Sequence, residues 1–314
     1  MKLLCSIGLI ALIGCFFVPV GIPVDVDFWR TFMDVMHLPV FAVVAGLFFP
    51  FFKAKGDDAR LRNCRNAFVA ACVVSIAIEL LQPFVGRSQS FLDQIYGIAG
   101  AAFGAGFIYL WPQRKEATTV FMLIAAVIAA SAAVMGPPLR KYRTIEHRDA
   151  QFPLLGGFED AEDLSLWRPN YFSFTGEGRY RVSTNYVSKG NFSQEVVAAV
   201  GGWPGVSFDA GDQDWSGYKT FAFDLFNPTS EHLMFLRIDD GATTGSSSGR
   251  FDHEMFLKKG WNHVRLPVEE IQAGSKGREL DLKVIRRVVL FIDSAFAPRT
   301  FFLDNVHLSN EPIE

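Results

Sequence analysis

Five apolar stretches crowd into the first 136 residues, at 3–20, 37–52, 66–83, 91–111 and 119–135. A helix that crosses a bilayer needs roughly 20 predominantly apolar residues. A bundle buried in a water-soluble protein would instead carry a polar stripe at helical spacing. These stretches carry almost none, so the pattern predicts an all-α transmembrane helical bundle of five spans over 1–136. The stretch at 37–52 is the shortest and is expected to draw in residues from Phe32 onward.

Charge is divided the same way. Residues 1–136 hold 10 Lys+Arg and 8 Asp+Glu, and 137–314 hold 20 and 25, for a formal net charge of −3. With no basic excess, no nucleic-acid partner is expected, because such binding draws on the release of counterions by clustered cations. A chain that is 50% hydrophobic is also no candidate for disorder. Lys53, Lys55, Arg60, Arg62 and Arg65 fall in one loop, and Arg114 and Lys115 in the next but one. The positive-inside rule puts these loops and the N-terminus in the cytoplasm, and an odd number of spans sends everything after Gly136 outside. The expected location is thus the inner membrane, multi-pass, with the lipid bilayer as a partner. Leu12-Ile13-Gly14-Cys15 has the shape of a lipoprotein cleavage box, but the residues after it stay apolar, which favours an anchor. All four cysteines (Cys5, Cys15, Cys64 and Cys72) lie in this half, leaving the second half no disulfide framework.

Polar residues intrude on the helices at a few places. Glu79 sits inside an apolar run, and Gln82, three residues on, shares its helix face. Pro83 favours a stop, Arg87 follows in a short loop, Asp93 opens the fourth stretch and His37 opens the second. With the orientation above, His37, Glu79, Gln82, Arg87 and Asp93 converge at the outer membrane face. Two readings stay open: a functional polar site, with Glu79 and Asp93 as acid/base candidates, or an ion-pair network locking helix ends together. Gly100-x-x-x-Gly104 reads first as close helix packing. The sequence Glu79-x-x-Gln82, Arg87, Ser90, Asp93, Gly97, Gly100, Gly104, preceded by His37, resembles the VanZ-like membrane proteins over about residues 30–110. The resemblance implies a cell-envelope role.

Residues 137–154 read as a linker, and from 155 short alternating segments take over, as in the Phe221, Phe223, Leu225 face of 219–226. Others lie at 179–187, 194–200, 204–209, 233–239, 251–258, 261–267, 287–293 and 300–308, with Lys259-Gly260 as a hairpin signal. The only helical turn expected is at 268–273. About nine strands separated by turn residues predict an all-β jelly-roll sandwich over 155–314. For sugar binding the chemistry asks for a flat aromatic beside polar groups. Trp203, Trp215 and Tyr218 are candidates, with Arg237, Asp239 and Asp240 as hydrogen-bonding partners. Trp215 and Tyr218 serve equally well to pack a turn. Trp261 is expected in the core, and the Gly/Ser/Thr stretch 242–249 as a recognition loop.

The series Phe158-Glu159-Asp160, Trp203-Pro204-Gly205-Val206, Asp214-Trp215-Ser216-Gly217-Tyr218, Asn227-Pro228, Arg237-Ile238-Asp239-Asp240, Gly260-Trp261-Asn262 and Leu303-Asp304-Asn305-Val306 is similar to that of galactose-binding-like carbohydrate-binding modules. This likeness implies a non-catalytic β-sandwich that binds an envelope or extracellular polysaccharide. It also implies a structural Ca²⁺ held by Glu159 and Asp304, for which a plain salt bridge or capped turn is an equal alternative. Three functions follow as expectations: a membrane protein displaying a glycan-binding sandwich, a membrane enzyme acting on a lipid-linked or glycan substrate at the polar cluster, and an envelope protein-interaction scaffold. No nucleotide or redox cofactor is expected, as the sequence has no phosphate-cradling loop and no CxxC.

Overall fold

The computed structural model describes residues 2–16, 27–85, 90–170, 178–200, 202–243, 249–274, 278–292 and 298–311. The chain divides into two compact units, Met1–Arg143 and Thr144–Glu314.

The first unit is helical: α1 (Lys2–Cys15), α2 (Asp27–Phe48), α3 (Ala59–Leu81), α4 (Phe91–Leu110) and most of α5 (Ala117–Gln151). Among the described residues four segments, Thr31–Phe51, Ala59–Phe84, Phe91–Gln113 and Ala117–Gln151, are long and apolar enough to cross a membrane. The fifth expected span is not confirmed among the described residues. At 14 residues α1 extends about 21 Å, short of a hydrocarbon core of about 30 Å, and residues 17–20 lie outside the described ones.

Glycines set the packing of this unit. A Cβ on Gly100 would overlap the carbonyl oxygen of Leu38, and one on Gly104 that of Ala42. Gly97 lies one turn before Gly100, where a Cβ would meet Ser75 Oγ on α3. Helix α4 therefore presents a bare backbone strip to α2, and the two helices approach more closely than side chains would permit.

The expected linker at 137–154 is instead helical through Gln151, with Pro137 and Pro138 inside α5. Each proline forfeits one N–H, but the following Leu-Arg-Lys-Tyr-Arg run consists largely of good helix formers. The end of α5 packs within the second unit. His147 Nε2 lies 3.0 Å from Asp163 Oδ1, and Arg148 Nη1 donates to the Asp209 carbonyl at 3.4 Å.

The second unit is a sandwich. One sheet runs β3 (Arg179–Ser183), β4 (Ser193–Ala198), β11 (Arg299–Ser309), β6 (Thr220–Asn227), β9 (Gly260–Pro267), with β1 (Leu154–Gly156) also on β11. The other runs β2 (Trp167–Asn170), β5 (Gly205–Gln213), β10 (Ile285–Phe291), β7 (His232–Asp240), β8 (Phe251–Leu257). Every pairing is antiparallel. Strand alternation sends Phe221, Phe223, Leu225, Phe301 and Leu303 inward from the first sheet. Val206, Phe208, Met234, Leu236, Val288 and Leu290 meet them from the second. The helical turn expected at 268–273 is α7 (Val268–Ala273), but a second short helix, α6 (Ala161–Leu166), was not anticipated. Strand β2 was missed because Pro169 interrupts its pattern. Proline is tolerated there because β2 is a sheet edge.

Replacing Gly100 with Ala should cost about 3 kcal/mol, the upper end for overpacking, because a backbone carbonyl cannot rotate away. Gly106→Ala, which meets nothing within 4 Å, is the matched control. Thermal unfolding of the detergent-solubilised chain reads the difference, and equal melting of the two variants would contradict the close approach of α2 and α4.

Candidate functional site

The outer face of the β2-β5-β10-β7-β8 sheet collects the residues that point away from the core. On β7 these are Leu233, Phe235, Arg237 and Asp239, alternating with the inward Met234, Leu236 and Ile238. Register places Phe235 beside Phe291 and Asp239 beside Arg287 on β10, and Arg237 beside Asp252 on β8. The Phe235 and Phe291 rings stack with centroids 5.4 Å apart at 17°. Along the same face Asp239 is held from two sides. Arg237 Nε donates to Oδ1 at 2.7 Å, and Arg287 donates to Oδ2 from Nη2 at 2.6 Å and from Nε at 2.9 Å. Arg250 pairs with Asp252 at 2.8 Å at the β8 margin. Asp239 is thus a buried anchor that fixes two guanidinium groups. The arginines, with donors left over, are the groups able to meet a ligand.

Trp203 is 49% exposed in the turn entering β5, next to the strand end where Gly205 pairs with Phe291. The aromatic stack and this indole therefore occupy the same end of the sheet.

Asp240 is fully buried and points elsewhere. It accepts from Arg278 at 2.5 and 2.6 Å, from the Asp281 amide at 2.8 Å and from Thr243 Oγ1 at 3.0 Å. Burial pushes its carboxyl upward. The Arg278 hydrogen bonds, the Asp281 amide and Thr243 outweigh that and hold it well below the usual carboxylate range. Asp240 is a loop anchor rather than a sugar partner.

Trp215 is also removed from the list of sugar platforms. It is fully buried, stacks on Phe221 at 5.2 Å, and receives no solvent contact. Tyr218 packs edge-on against Phe152 at 5.4 Å, so both residues hold the turn. Trp261, expected in the core, is 38% exposed on the outside of the other sheet. It sits on the β9 parity that faces out and stacks with His263 at 5.9 Å. Tyr186, Phe226 and Phe302 join it, with Tyr186 and Phe226 stacked at 3.7 Å. Residues 244–248 of the expected recognition loop lie outside the described residues.

The proposed calcium ligands hold the two ends of one loop. Asp304 Oδ2 accepts from the Ser188 amide at 2.7 Å, the Lys189 amide at 3.0 Å and Ser188 Oγ at 3.1 Å, and Oδ1 from the Asn305 amide at 2.7 Å. Burial nevertheless pushes the Asp304 carboxyl up. Glu159 accepts from the Asn191 and Phe192 amides at 2.8 and 3.0 Å and from Asn191 Nδ2 at 3.1 Å. The Asn191 amide leads in holding its carboxyl below the ordinary value. Calcium takes six to eight oxygen ligands, whereas these carboxylates are surrounded by N–H donors. The residues present do not fit that ion.

In the helical unit, His37, Glu79 and Asp93 come together, and Gln82 is buried one turn beyond Glu79. His37, Glu79, Gln82 and Asp93 are all buried, and His37 Nδ1 lies 3.7 Å from Asp93 Oδ1. Arg87 lies outside the described residues.

Residues 150–275 match the family model described as carbohydrate binding domain (family 11). The C-terminal unit contains a domain of the family 11 carbohydrate-binding type. Among solved structures, the chain is similar to the family 11 module from Clostridium thermocellum in complex with a β-1,3-1,4-mixed-linked tetrasaccharide. That likeness has 18% identity and a TM-score of 0.40, over 51% of this chain and 96% of that one. A family 30 module of a cellulosomal cellulase from the same organism gives 16% identity and a TM-score of 0.37, over 46% and 92%. An exo-β-agarase gives 14% identity and a TM-score of 0.40, over 51% of this chain and 26% of its own. The family model, rather than these remote likenesses, carries the assignment. No curated protein sequence matches the chain.

Sequence reasoning singled out Arg237 and Asp239 but passed over Phe235, Phe291 and Arg287. Phe235 was within reach, since it shares the strand parity of Arg237 and Asp239. Phe291 and Arg287 needed the β10–β7 register.

A carboxyl held low in the folded state contributes stability that is present above its unfolded pKa and is lost as pH falls through the folded value. The Asp240 contribution should therefore be intact at neutral pH and fade below about pH 4. Asp240→Asn should lower stability at pH 7 by about 2 kcal/mol, the scale of charged hydrogen bonds, and flatten the acid limb of the sandwich melting curve. An acid limb of unchanged slope would show that Asp240 is not the group responsible.

Proposed function

We propose that this chain is a membrane-anchored glycan-binding protein whose sandwich is displayed on the extracytoplasmic side of the inner membrane. The observation that carries the binding reading is the Phe235–Phe291 stack lying beside the Arg237–Asp239–Arg287 array on one sheet face. Sugar rings present apolar C–H faces and rims of hydroxyls. An aromatic platform receives the first, and fixed guanidinium donors receive the second. Because Asp239 holds both arginines in place, little side-chain entropy is lost on binding. The family 11 match over 150–275 supports the same reading. The sandwich acts by recognition, without catalysis, and a polysaccharide of the envelope or its surroundings is the partner class.

The second sheet face offers an alternative platform, favoured by the exposed indole of Trp261 stacked on His263. The anchoring half supplies location. The cation-rich segment 53–65, a short loop running into the first turns of α3, supports that end of the helices lying inside by the positive-inside rule, and the VanZ-like polar set supports an envelope protein.

Binding of the full chain in detergent to a panel of polysaccharides, read by affinity electrophoresis and calorimetry, tests the recognition face. Phe235→Ala and Arg237→Ala should each weaken binding about 10-fold, or 1.4 kcal/mol, while Trp261→Ala leaves it unchanged. Loss of binding only in Trp261→Ala would move the site to the other sheet. Orientation is tested by placing a cysteine at exposed Ser216 in a chain whose four cysteines are replaced by serine. A membrane-impermeant thiol reagent should label it in intact spheroplasts, and labelling only after lysis would reverse the topology.

A further inference from the structure

The polar cluster between α2, α3 and α4 has the composition and geometry of a metal site. His37 on α2, Glu79 on α3 and Asp93 on α4 are 5%, 8% and 6% exposed. One ring nitrogen of His37 and one carboxylate oxygen from each of Glu79 and Asp93 all lie within 4.8 Å of one another. Three helices therefore aim an imidazole and two carboxylates at a common point.

Several atoms of His37, Glu79 and Gln82 have no hydrogen-bond partner among the described residues. His37 Nδ1 faces the backbone carbonyls of Met33 at 3.2 Å and Asp34 at 3.1 Å. A contact with carbonyls requires the proton on Nδ1, which leaves the lone pair on Nε2, and Nε2 has no hydrogen-bond partner among the described residues. In metal-binding histidines a carbonyl on one ring nitrogen leaves the other free for the ion, and a rotation of the ring that keeps the imidazole beside Asp93, now 3.7 Å from Nδ1, brings that nitrogen to the carboxylates. Glu79 Oε2 accepts from the Ser90 amide at 3.0 Å, and Oε1 accepts nothing among the described residues. Gln82, 1% exposed and one turn beyond Glu79, has neither its amide oxygen nor its nitrogen satisfied there. Buried polar atoms in native proteins are nearly always paired, and each orphan is costly. Two carboxylates within a few ångströms of each other add a charge repulsion that a dication would cancel.

We propose that His37, Glu79 and Asp93 bind a divalent transition-metal cation of the Zn²⁺ or Mn²⁺ class, with the Gln82 amide or a water completing the coordination. Mixed imidazole–carboxylate donor sets suit these ions, and three protein ligands with an open position are typical of sites that exchange a ligand. Ligand bonds of about 2.1 Å place neighbouring donor atoms about 3.4 Å apart, so the three side chains close by roughly 1 Å around the ion. The inference is independent of the glycan-binding reading.

The test uses the full chain in detergent, stripped of metal and titrated with Co²⁺ as a visible probe, with Zn²⁺ and Mn²⁺ as competitors. Wild-type protein should bind about one Co²⁺ per chain with a ligand-field band and no thiolate charge-transfer band. Glu79→Gln and His37→Gln should each weaken binding by about 100-fold or more, with helicity and gel-filtration behaviour retained. Zn²⁺ should raise the melting temperature of the wild type by mass action. That measurement decides the matter if a variant fails to fold. Absence of saturable Co²⁺ uptake together with an unshifted melting temperature would overturn the proposal. So would a charge-transfer band that disappears in Cys64→Ser/Cys72→Ser, since it would place the ion on the cysteines.

Discussion

The helical unit depends on the backbone approach of α4 to α2. With Gly100 against the Leu38 carbonyl and Gly104 against that of Ala42, no side chain separates the two helices along this seam. Close backbone contact of this kind is how helices associate in a bilayer, where apolar side chains gain nothing by facing each other rather than lipid. The seam also fixes chemistry. His37 immediately precedes Leu38, and Asp93 lies one turn before Gly97, so the same contact that packs the helices brings imidazole and carboxylate together.

The entry to α4 ties in the third helix. Ser90 caps α4 by accepting from the Asp93 amide at 3.3 Å, and its own amide donates to Glu79 on α3. One short capping segment thus connects two acidic residues that local sequence alone would treat as separate. In the sandwich, the corresponding organiser is strand alternation. The parity that sends Met234, Leu236 and Ile238 inward leaves Phe235, Arg237 and Asp239 outward, and the antiparallel register then adds Phe291 and Arg287 from β10.

The readings that failed did so for local reasons. Trp261 follows the hairpin glycine on a strand whose outward parity is set by pairing Phe223 with Val264 and Phe221 with Leu266. Its size suggested a core position, but register overruled size. Trp215 and Asp240 carry residue types suited to sugar contact, yet their surroundings consume them: Phe221 covers the indole, and Arg278 and the Asp281 amide saturate the carboxylate. Glu159 and Asp304 likewise sit where the likeness placed a cation, and backbone amides of the 188–192 loop take their oxygens. A sequence names donors and acceptors but does not say which are already paired.

By itself the sequence determined the division of the chain, because hydropathy and charge are sums over local composition that no packing can alter. It also determined the type of the long helices and of most strands, since strand alternation and uninterrupted apolar length are properties of consecutive residues, whereas the helical 137–151, α6 and β2 escaped it. The order of apolar stretches already brought His37, Glu79 and Asp93 to one end of their helices, but only the tertiary structure decided how close they come and which groups meet across the sheet. His37, Glu79 and Asp93 come from three helices, and Phe235, Arg237, Arg287 and Phe291 from two strands about 50 residues apart in the chain. Contacts between such distant residues are set by helix seams and sheet register, which depend on how whole elements pack and not on any short stretch of residues.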